Sequence, residues 1–120
     1  MFKAILQEIV DQTPGAGSVV LMGCDGIAVE SVFRQGVTAD KTQAITVEFA
    51  SVMKELMHTT QLLAAGNLRE VTVRCDELTI VLTMLDDEYF VALLFDDDAG
   101  MGKGRYLLRR DAHKLREALE

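Results

Sequence analysis

Residues 39–65 read ADKTQAITVEFASVMKELMHTTQLLAA, and this stretch decides the fold. Its apolar side chains recur at helical spacing, which predicts one long helix, roughly Ala39 to Ala65. We expect Thr38 or Asp40 to act as the N-cap and Gly66-Asn67 to close the C-terminal end. A helix of this length spans about 40 Å, which is long for a small domain.

This helix has more apolar surface than one sheet can cover. Its apolar and small residues occupy a sector about 160° wide, against the about 100° of an ordinary surface helix. We expect one arc to lie on the sheet, namely Ile45, Phe49, Val52, Leu56 and Leu63. The second arc contains Thr46, Ala50, Met53, Met57 and Ala64. Because small residues let helices approach closely and Met fills gaps, we expect this arc to pack against a second copy. The alternative is that another part of the chain covers it.

Strand patterns flank the long helix. Residues 2–12 have helical spacing and are ended by Pro14-Gly15, after which Asp25-Gly26 joins two apolar runs as a hairpin. The predicted strands and the last helix cover residues 18–22, 27–33, 70–75, 78–85, 89–95 and 105–119. The order α-β-β-α-β-β-β-α predicts a single domain over residues 1–120 of the α/β (α+β) class. We expect one five-stranded, mostly antiparallel sheet sandwiched between the long central helix and two terminal helices.

The strand predicted after the long helix is expected at a sheet edge. It should place Val71 and Val73 on one face and Thr72 and Arg74 on the other. Proteins usually cover an open edge, and pairing with the same strand of a second copy would do so. We therefore assign a dimer interface to the second helix arc and this strand, which comprises Thr46, Ala50, Met53, Met57, Ala64, Val71, Thr72, Val73 and Arg74.

Charge and composition exclude several classes of protein. The net charge of −7 argues against binding to nucleic acid or to an anionic membrane. Two cysteines are too few for a disulfide framework and fit no zinc pattern. The apolar start, Met1 to Leu6, is interrupted by polar residues and lacks a cleavage site, and no run approaches the length of a membrane span. We expect a cytoplasmic protein.

The motifs that suggest chemistry fail in detail. The run Gly100 to Gly104 contains a lysine, but Asp97 stands where a phosphate loop needs its first glycine. His58 and His113 lie on different predicted helices, and the Asp96 to Asp98 run lacks the ligand spacing of a calcium loop. We therefore predict no catalytic residues, no cofactor and no metal site, and we do not expect an enzyme.

Three segments carry a resemblance to a known family. They are the first hairpin, VLMGCDGIAV at residues 20–29, the long central helix, and the ending GKGRYLLRR at residues 102–110. With these, the chain resembles the Roadblock/dynein light chain family, and among its members the bacterial MglB-type regulators of small Ras-like GTPases. The resemblance covers essentially the whole chain.

The resemblance implies a profilin-like or longin-like fold and a homodimer with paired central helices and a sheet continued through the third strands. It also implies that the paired helices form a platform for a GTPase of the MglA type, which supplies the hydrolytic chemistry itself. The GTPase contacts would then be outward helix residues, namely Lys54, His58, Gln61 and Ala65. Two alternatives stay open, a structural adaptor without effect on GTP hydrolysis and a ligand sensor of the PAS or GAF type.

Overall fold

The computed structural model describes residues 1–34 and 39–120, apart from the side chains of residues 39–41 and 98. Its strands are β1 (Ala16–Gly23), β2 (Ala28–Phe33), β3 (Glu70–Arg74), β4 (Thr79–Met84) and β5 (Tyr89–Phe95). Its helices are α1 (Phe2–Gln12), α2 (Ala39–Leu62) and α3 (Met101–Leu119), with a 3₁₀ turn at Asp98–Gly100. The strands form one antiparallel sheet in the order β2-β1-β5-β4-β3. The predicted fold class and element order are confirmed, whereas the expected N-cap at Thr38 or Asp40 lies outside the described residues.

Two helices cover one face of the sheet. α1 buries Leu6, Ile9 and Val10, and α3 buries a matching row that includes Leu107 and Leu108. These side chains pack with one another and with strand residues that point to the same side: Val19, Leu21, Val32, Val81, Val91, Leu93 and Phe95. This face is therefore a closed apolar layer.

α2 covers the other face of the sheet alone. Its buried residues are Thr42, Thr46, Ala50 and Met53, of which Ala50 and Met53 pack with strand residues such as Phe90 and Leu82. Burial of a hydroxyl group is tolerated here because Thr46 Oγ1 donates to the Thr42 carbonyl oxygen at 3.0 Å. The small side chains let the helix lie close to the sheet.

Our assignment of the two helix arcs was therefore wrong in part. Thr46, Ala50 and Met53, expected at the surface for a second copy, lie inside the chain's own core. Val52 and Leu63, expected on the sheet, are exposed, and Leu56 is half-buried. Ile45 and Phe49 are also half-buried, but they pack against the core on this side of the sheet as expected. The small side chains of Thr46 and Ala50 were expected to let a second helix approach closely, but they let α2 lie close to its own sheet.

The edge position predicted for β3 is confirmed. Within the described residues β3 pairs with β4 only, in a register that places Thr72 opposite Val81. Val71 and Val73 lie opposite Leu82 and Ile80, on the α2 side of the sheet.

The second edge strand, β2, is irregular. Its register against β1 shifts between Leu21 and Met22, whose partners are Glu30 and Ala28, so Val29 is an extra residue in β2. A β-bulge of this kind bends and twists an edge strand and makes it a poorer template for another strand.

α2 ends three residues earlier than predicted. Ala64 has a φ of 54°, its N–H donates to the Gln61 carbonyl oxygen at 3.0 Å, and the Ala65 N–H donates to the Thr60 carbonyl oxygen at 3.0 Å. These two bonds and the left-handed residue are the Schellman motif, with alanine where glycine is usual. Ala64, not Gly66-Asn67, therefore closes the helix.

α3 begins earlier than predicted, at Met101, so part of the loop expected over residues 96–104 is helical. Gly104 is buried within it, and a Cβ atom at this position would lie 2.7 Å from Leu93 Cδ2 and 2.9 Å from Phe95 Cζ. The glycine that suggested a flexible turn instead allows the helix to lie directly on the sheet.

Candidate functional site

The outer face of α2 carries three of the four predicted GTPase-contact residues. Lys54, His58 and Gln61 are exposed and follow one another at helical spacing on one side of the helix, over about 10 Å of its length. Ala65 is exposed too, but it lies in the C-terminal cap beyond Leu62. The structure thus brings three of these residues onto one face and leaves the fourth beside it.

A cavity of about 410 Å³ opens at the C-terminal end of α2. Gln61 and Met57 form one wall, and the α2–β3 connection, the β4–β5 turn and α3 form the others. Its apolar lining includes Leu68 and Met84, while its charged lining consists of Arg69, Arg116, Asp86 and Asp87. Because the two arginines and two aspartates balance, the cavity has no marked preference for a ligand of either charge. Its described lining contains neither a thiol nor an imidazole.

The titratable groups do not assemble into a reactive centre. Burial, with a smaller contribution from nearby Asp86, raises the pKa of the Cys24 thiol, so this side chain is protonated and unreactive at neutral pH. His58 and His113 are both exposed, on α2 and α3 respectively. Among the described residues no group of three or more His, Cys, Asp or Glu side chains could hold a metal ion. No described helix is long and apolar enough to span a membrane.

An apolar flank of α2 lies beside its buried face. We define the α2 flank as Ile45, Val52, Leu56 and Leu63, of which Val52 is 43 % and Leu63 72 % exposed. Sequence reasoning found these residues but assigned them to the sheet. The two arcs adjoin on the helix, so helical spacing alone did not show which of them the sheet covers.

The predicted interface residues fall into three groups. Thr46, Ala50 and Met53 are inside the core, and Met57 is half-buried in the cavity wall. Ala64 is exposed in the helix cap. The β3 residues stay at the open edge, with half-buried Val71 and Val73 and exposed Thr72 and Arg74. A dimer interface is still a prediction, and Thr46, Ala50 and Met53 are too deeply buried in this fold to form its helical part.

Comparison with known proteins places the chain in a family. The family model for the Roadblock/LC7 domain matches residues 2–95. The solved structure of MglC from Myxococcus xanthus is 31% identical, with 98% of each chain covered and a TM-score of 0.69. No curated protein sequence matches the chain significantly.

Two more distant structures share the fold alone. The gliding protein MglB from Thermus thermophilus is 16% identical, with 92% of this chain and 82% of that chain covered and a TM-score of 0.80. Profilin IA from Acanthamoeba castellanii is 13% identical, with 96% of each chain covered and a TM-score of 0.58, which agrees with the profilin-like fold expected from the sequence. The family model and the likeness to MglC show that the chain belongs to the Roadblock/LC7 family.

Proposed function

We propose that this chain is a homodimeric regulatory protein that engages a small Ras-like GTPase of the MglA type and modulates its GTP hydrolysis or localisation. The observation that carries the proposal is the α2 flank, which is exposed at Val52 and Leu63, on a helix next in sequence to the open edge strand β3. A second copy would cover both surfaces at once. The resemblance to MglB-type regulators supplies the class of partner.

The spacing of the α2 flank suits a two-fold axis. Val52 and Leu56 lie two residues to either side of Lys54, and Ile45 and Leu63 lie nine residues to either side of it. In a two-fold contact, residue i of one copy meets residue j of the other and the reverse. Two antiparallel helices would therefore place Val52 against Leu56 and Ile45 against Leu63, in each case from different copies.

The edge strand has the same symmetry. In Glu70-Val71-Thr72-Val73-Arg74, the two residues next to Thr72 are both valine, and the two residues beyond them have opposite charges. Antiparallel pairing with a second β3 would set Val71 opposite Val73 and Glu70 opposite Arg74, which are favourable cross-strand pairs. Within the chain, Arg105 of α3 binds the Glu70 carboxylate at 2.5 and 2.7 Å, which fixes one end of β3 before any pairing.

Both surfaces are needed to offset the cost of association. The α2 flank would contribute eight side chains from two copies, at about 1 kcal/mol each for the surface that is still exposed. Loss of translational and rotational freedom costs at least about 4 kcal/mol and by some estimates more than about 15. The helix contact alone is thus marginal, and the hydrogen bonds between two β3 strands would make the pair stable.

In such a pair, the outer faces of two α2 helices would lie side by side. Lys54, His58 and Gln61 do not take part in the core, so they are free to contact a partner. Since neither the α2 flank nor this face offers a nucleophile and its base, the hydrolytic groups would be those of the GTPase. The regulator would act by favouring one conformation of its partner.

The proposal is tested by single-turnover GTP hydrolysis of the purified cognate MglA-type GTPase, with and without this chain. We expect a changed rate with the wild-type chain and a loss of this effect in Lys54→Glu. Lys3→Glu is the matched control, because Lys3 is an exposed lysine on α1 at the opposite face of the sheet. Equal hydrolysis rates with and without the wild-type chain would contradict regulation of hydrolysis.

A structural adaptor is the second candidate. It is favoured by the character of the two surfaces, which are suited to binding and contain no group that would act on a nucleotide. An adaptor would bind the GTP-loaded and GDP-loaded GTPase with the same affinity, whereas a regulator of hydrolysis would prefer the GTP-loaded form. Binding measured against both forms separates the two candidates.

A further inference from the structure

The turn between β1 and β2 holds a large apolar side chain in solvent. Ile27 is 67% exposed, and Val29, two residues on, is 39% exposed. The turn lies close to α2, because a Cβ atom built on Gly26 would lie 3.9 Å from Cγ1 of Val47. Val47 is itself 47% exposed. We call Ile27, Val29 and Val47 the hairpin patch.

Hydrogen bonds fix the backbone of the turn that carries the hairpin patch. The Gly23 N–H donates to the Ile27 carbonyl oxygen at 2.9 Å, and the Ile27 N–H donates to the Asp25 carboxylate at 3.1 Å. The Cys24 N–H donates to the Glu88 carbonyl oxygen at 2.7 Å, which ties this turn to the β4–β5 turn. Because the backbone that carries Ile27 is already ordered, a partner that covers this side chain need not order the turn, which favours Ile27 as an anchor for binding.

Acidic side chains border the hairpin patch. Asp25 lies in the turn itself, and Asp86, Asp87 and Glu88 lie in the adjoining β4–β5 turn. Asp86, Asp25 and Asp87 all act electrostatically on Cys24, against a single base, Lys54. The surroundings of Cys24 are therefore negative overall. Arg69 and Arg116 share the cavity with Asp86 and Asp87, so the acidic character of the border comes mainly from Asp25 and Glu88, which favour a positively charged partner.

The hairpin patch is separate from the surfaces used in the proposed dimer. β2 and β3 are opposite edges of the sheet, with three strands between them. Val47 also lies on the solvent side of α2, away from the α2 flank. A dimer would therefore leave two hairpin patches exposed, one on each copy.

We propose that the hairpin patch and its acidic border form a docking site for a partner protein that presents an apolar side chain flanked by lysine or arginine. The apolar side chain would cover Ile27 and Val47, and the basic side chains would pair with Asp25 and the β4–β5 turn. Val47 lies two helical turns before Lys54 on the same side of α2, so this site borders the face proposed for the GTPase, and a dimer would carry two such sites.

The test uses a short fluorescein-labelled peptide in which leucine and isoleucine are flanked on both sides by lysine and arginine. Fluorescence anisotropy measures its affinity for the full chain, and amide chemical shifts in NMR spectra locate the site. We expect saturable binding with shifts at residues 23–29 and around Val47. Ile27→Ser should weaken binding about tenfold, as expected for a central anchor. Asp25→Asn should weaken it several-fold, while keeping an oxygen that accepts the Ile27 N–H.

Matched controls distinguish binding at this site from non-specific binding of the peptide. Leu62→Ser removes an equally exposed side chain at the end of α2, and Asp96→Asn removes an exposed charge at the end of β5; neither should change the affinity. Circular dichroism confirms that each variant is folded. The proposal is overturned if the basic peptide does not bind, if the shifts lie elsewhere, if Leu62→Ser weakens binding as much as Ile27→Ser, or if a glutamate-flanked peptide binds as tightly.

Discussion

The two faces of the sheet are covered by different numbers of helices. α1 and α3 together cover one face, and every strand residue that packs beneath them is buried apart from half-buried Tyr89. α2 alone covers the other, where Ile45, Phe49, Met57 and Leu68 stay half-buried around its core. The first face is complete within the chain, whereas the second has apolar surface left at its margins.

This difference separates residues that hold the fold together from residues that are available for binding. Substitutions on the α1/α3 face should lower stability and leave association unchanged. Substitutions at the α2 flank should do the reverse. Leu93→Ala and Leu56→Glu test this separation directly, and Ala64→Gly and Arg105→Gln test two local features with smaller expected effects.

Leu93→Ala should lower the free energy of unfolding by about 3 kcal/mol, because it leaves a cavity in the closed face. Leu93 is fully buried there beneath α3. Urea denaturation measures the loss. Leu62→Ala, at a residue that is 74% exposed, is the control and should change stability by less than about 0.5 kcal/mol. Similar losses in the two variants would mean that the α1/α3 face is not the main source of stability.

Leu56→Glu should raise the dissociation constant of the dimer at least about tenfold, because a charge from each copy would enter the helix contact without a partner. Sedimentation equilibrium measures the constant, and circular dichroism checks that the half-buried position tolerates the substitution. Leu62→Glu places the same charge on the solvent side of α2 and should leave the dimer intact. A dimer of unchanged affinity in Leu56→Glu would exclude the α2 flank as its interface.

Ala64→Gly should stabilise the protein by about 1 kcal/mol, since it relieves the strain of a Cβ atom in the left-handed region. The φ of 54° at this helix cap makes glycine the better residue. Ala44→Gly, at an exposed position within α2, should instead destabilise by a similar amount because glycine is a poor helix former. Thermal denaturation of both variants should therefore give shifts of opposite sign.

Arg105→Gln should cause the smallest loss of stability, and the loss should depend on pH. The hydrogen bond from Arg105 holds the pKa of Glu70 below its ordinary value of 4.5. A carboxyl group with a lowered folded-state pKa stabilises the fold above its unfolded pKa, and this contribution disappears as the pH falls through the folded pKa. Wild type and variant should therefore differ in melting temperature at pH 7 and converge below pH 4.5. A constant difference across this range would show that Arg105 acts through packing alone.

Much of the fold is local in the sequence, and this part was predictable. β5 has the bounds predicted for it, and the edge position of β3 follows from the element order alone. The start of α3 was missed because Gly102 and Gly104 resemble a loop until the sheet beneath Gly104 is known. The orientation of α2 was missed because its two apolar arcs are adjacent, and a helical period of 3.6 residues does not show which of two adjacent arcs faces the sheet.

The candidate site was less predictable than the fold. Three of the outward α2 residues could be found from helical spacing, because exposure follows from the arc opposite the core. The hairpin patch could not be found in this way. It depends on Gly26, the neighbour of Ile27, lying close to Val47, and this turn and helix are far apart in the sequence.

The bulge at Val29 has a consequence for how far assembly can proceed. A sheet with two regular edges can add strands at both and grow without limit, as fibrils do. Here the bulge makes β2 a poor template for another strand, whereas β3 is a regular edge strand. If β3 takes its own copy as neighbour, it uses up that template, and polymerisation by strand addition stops after a single step.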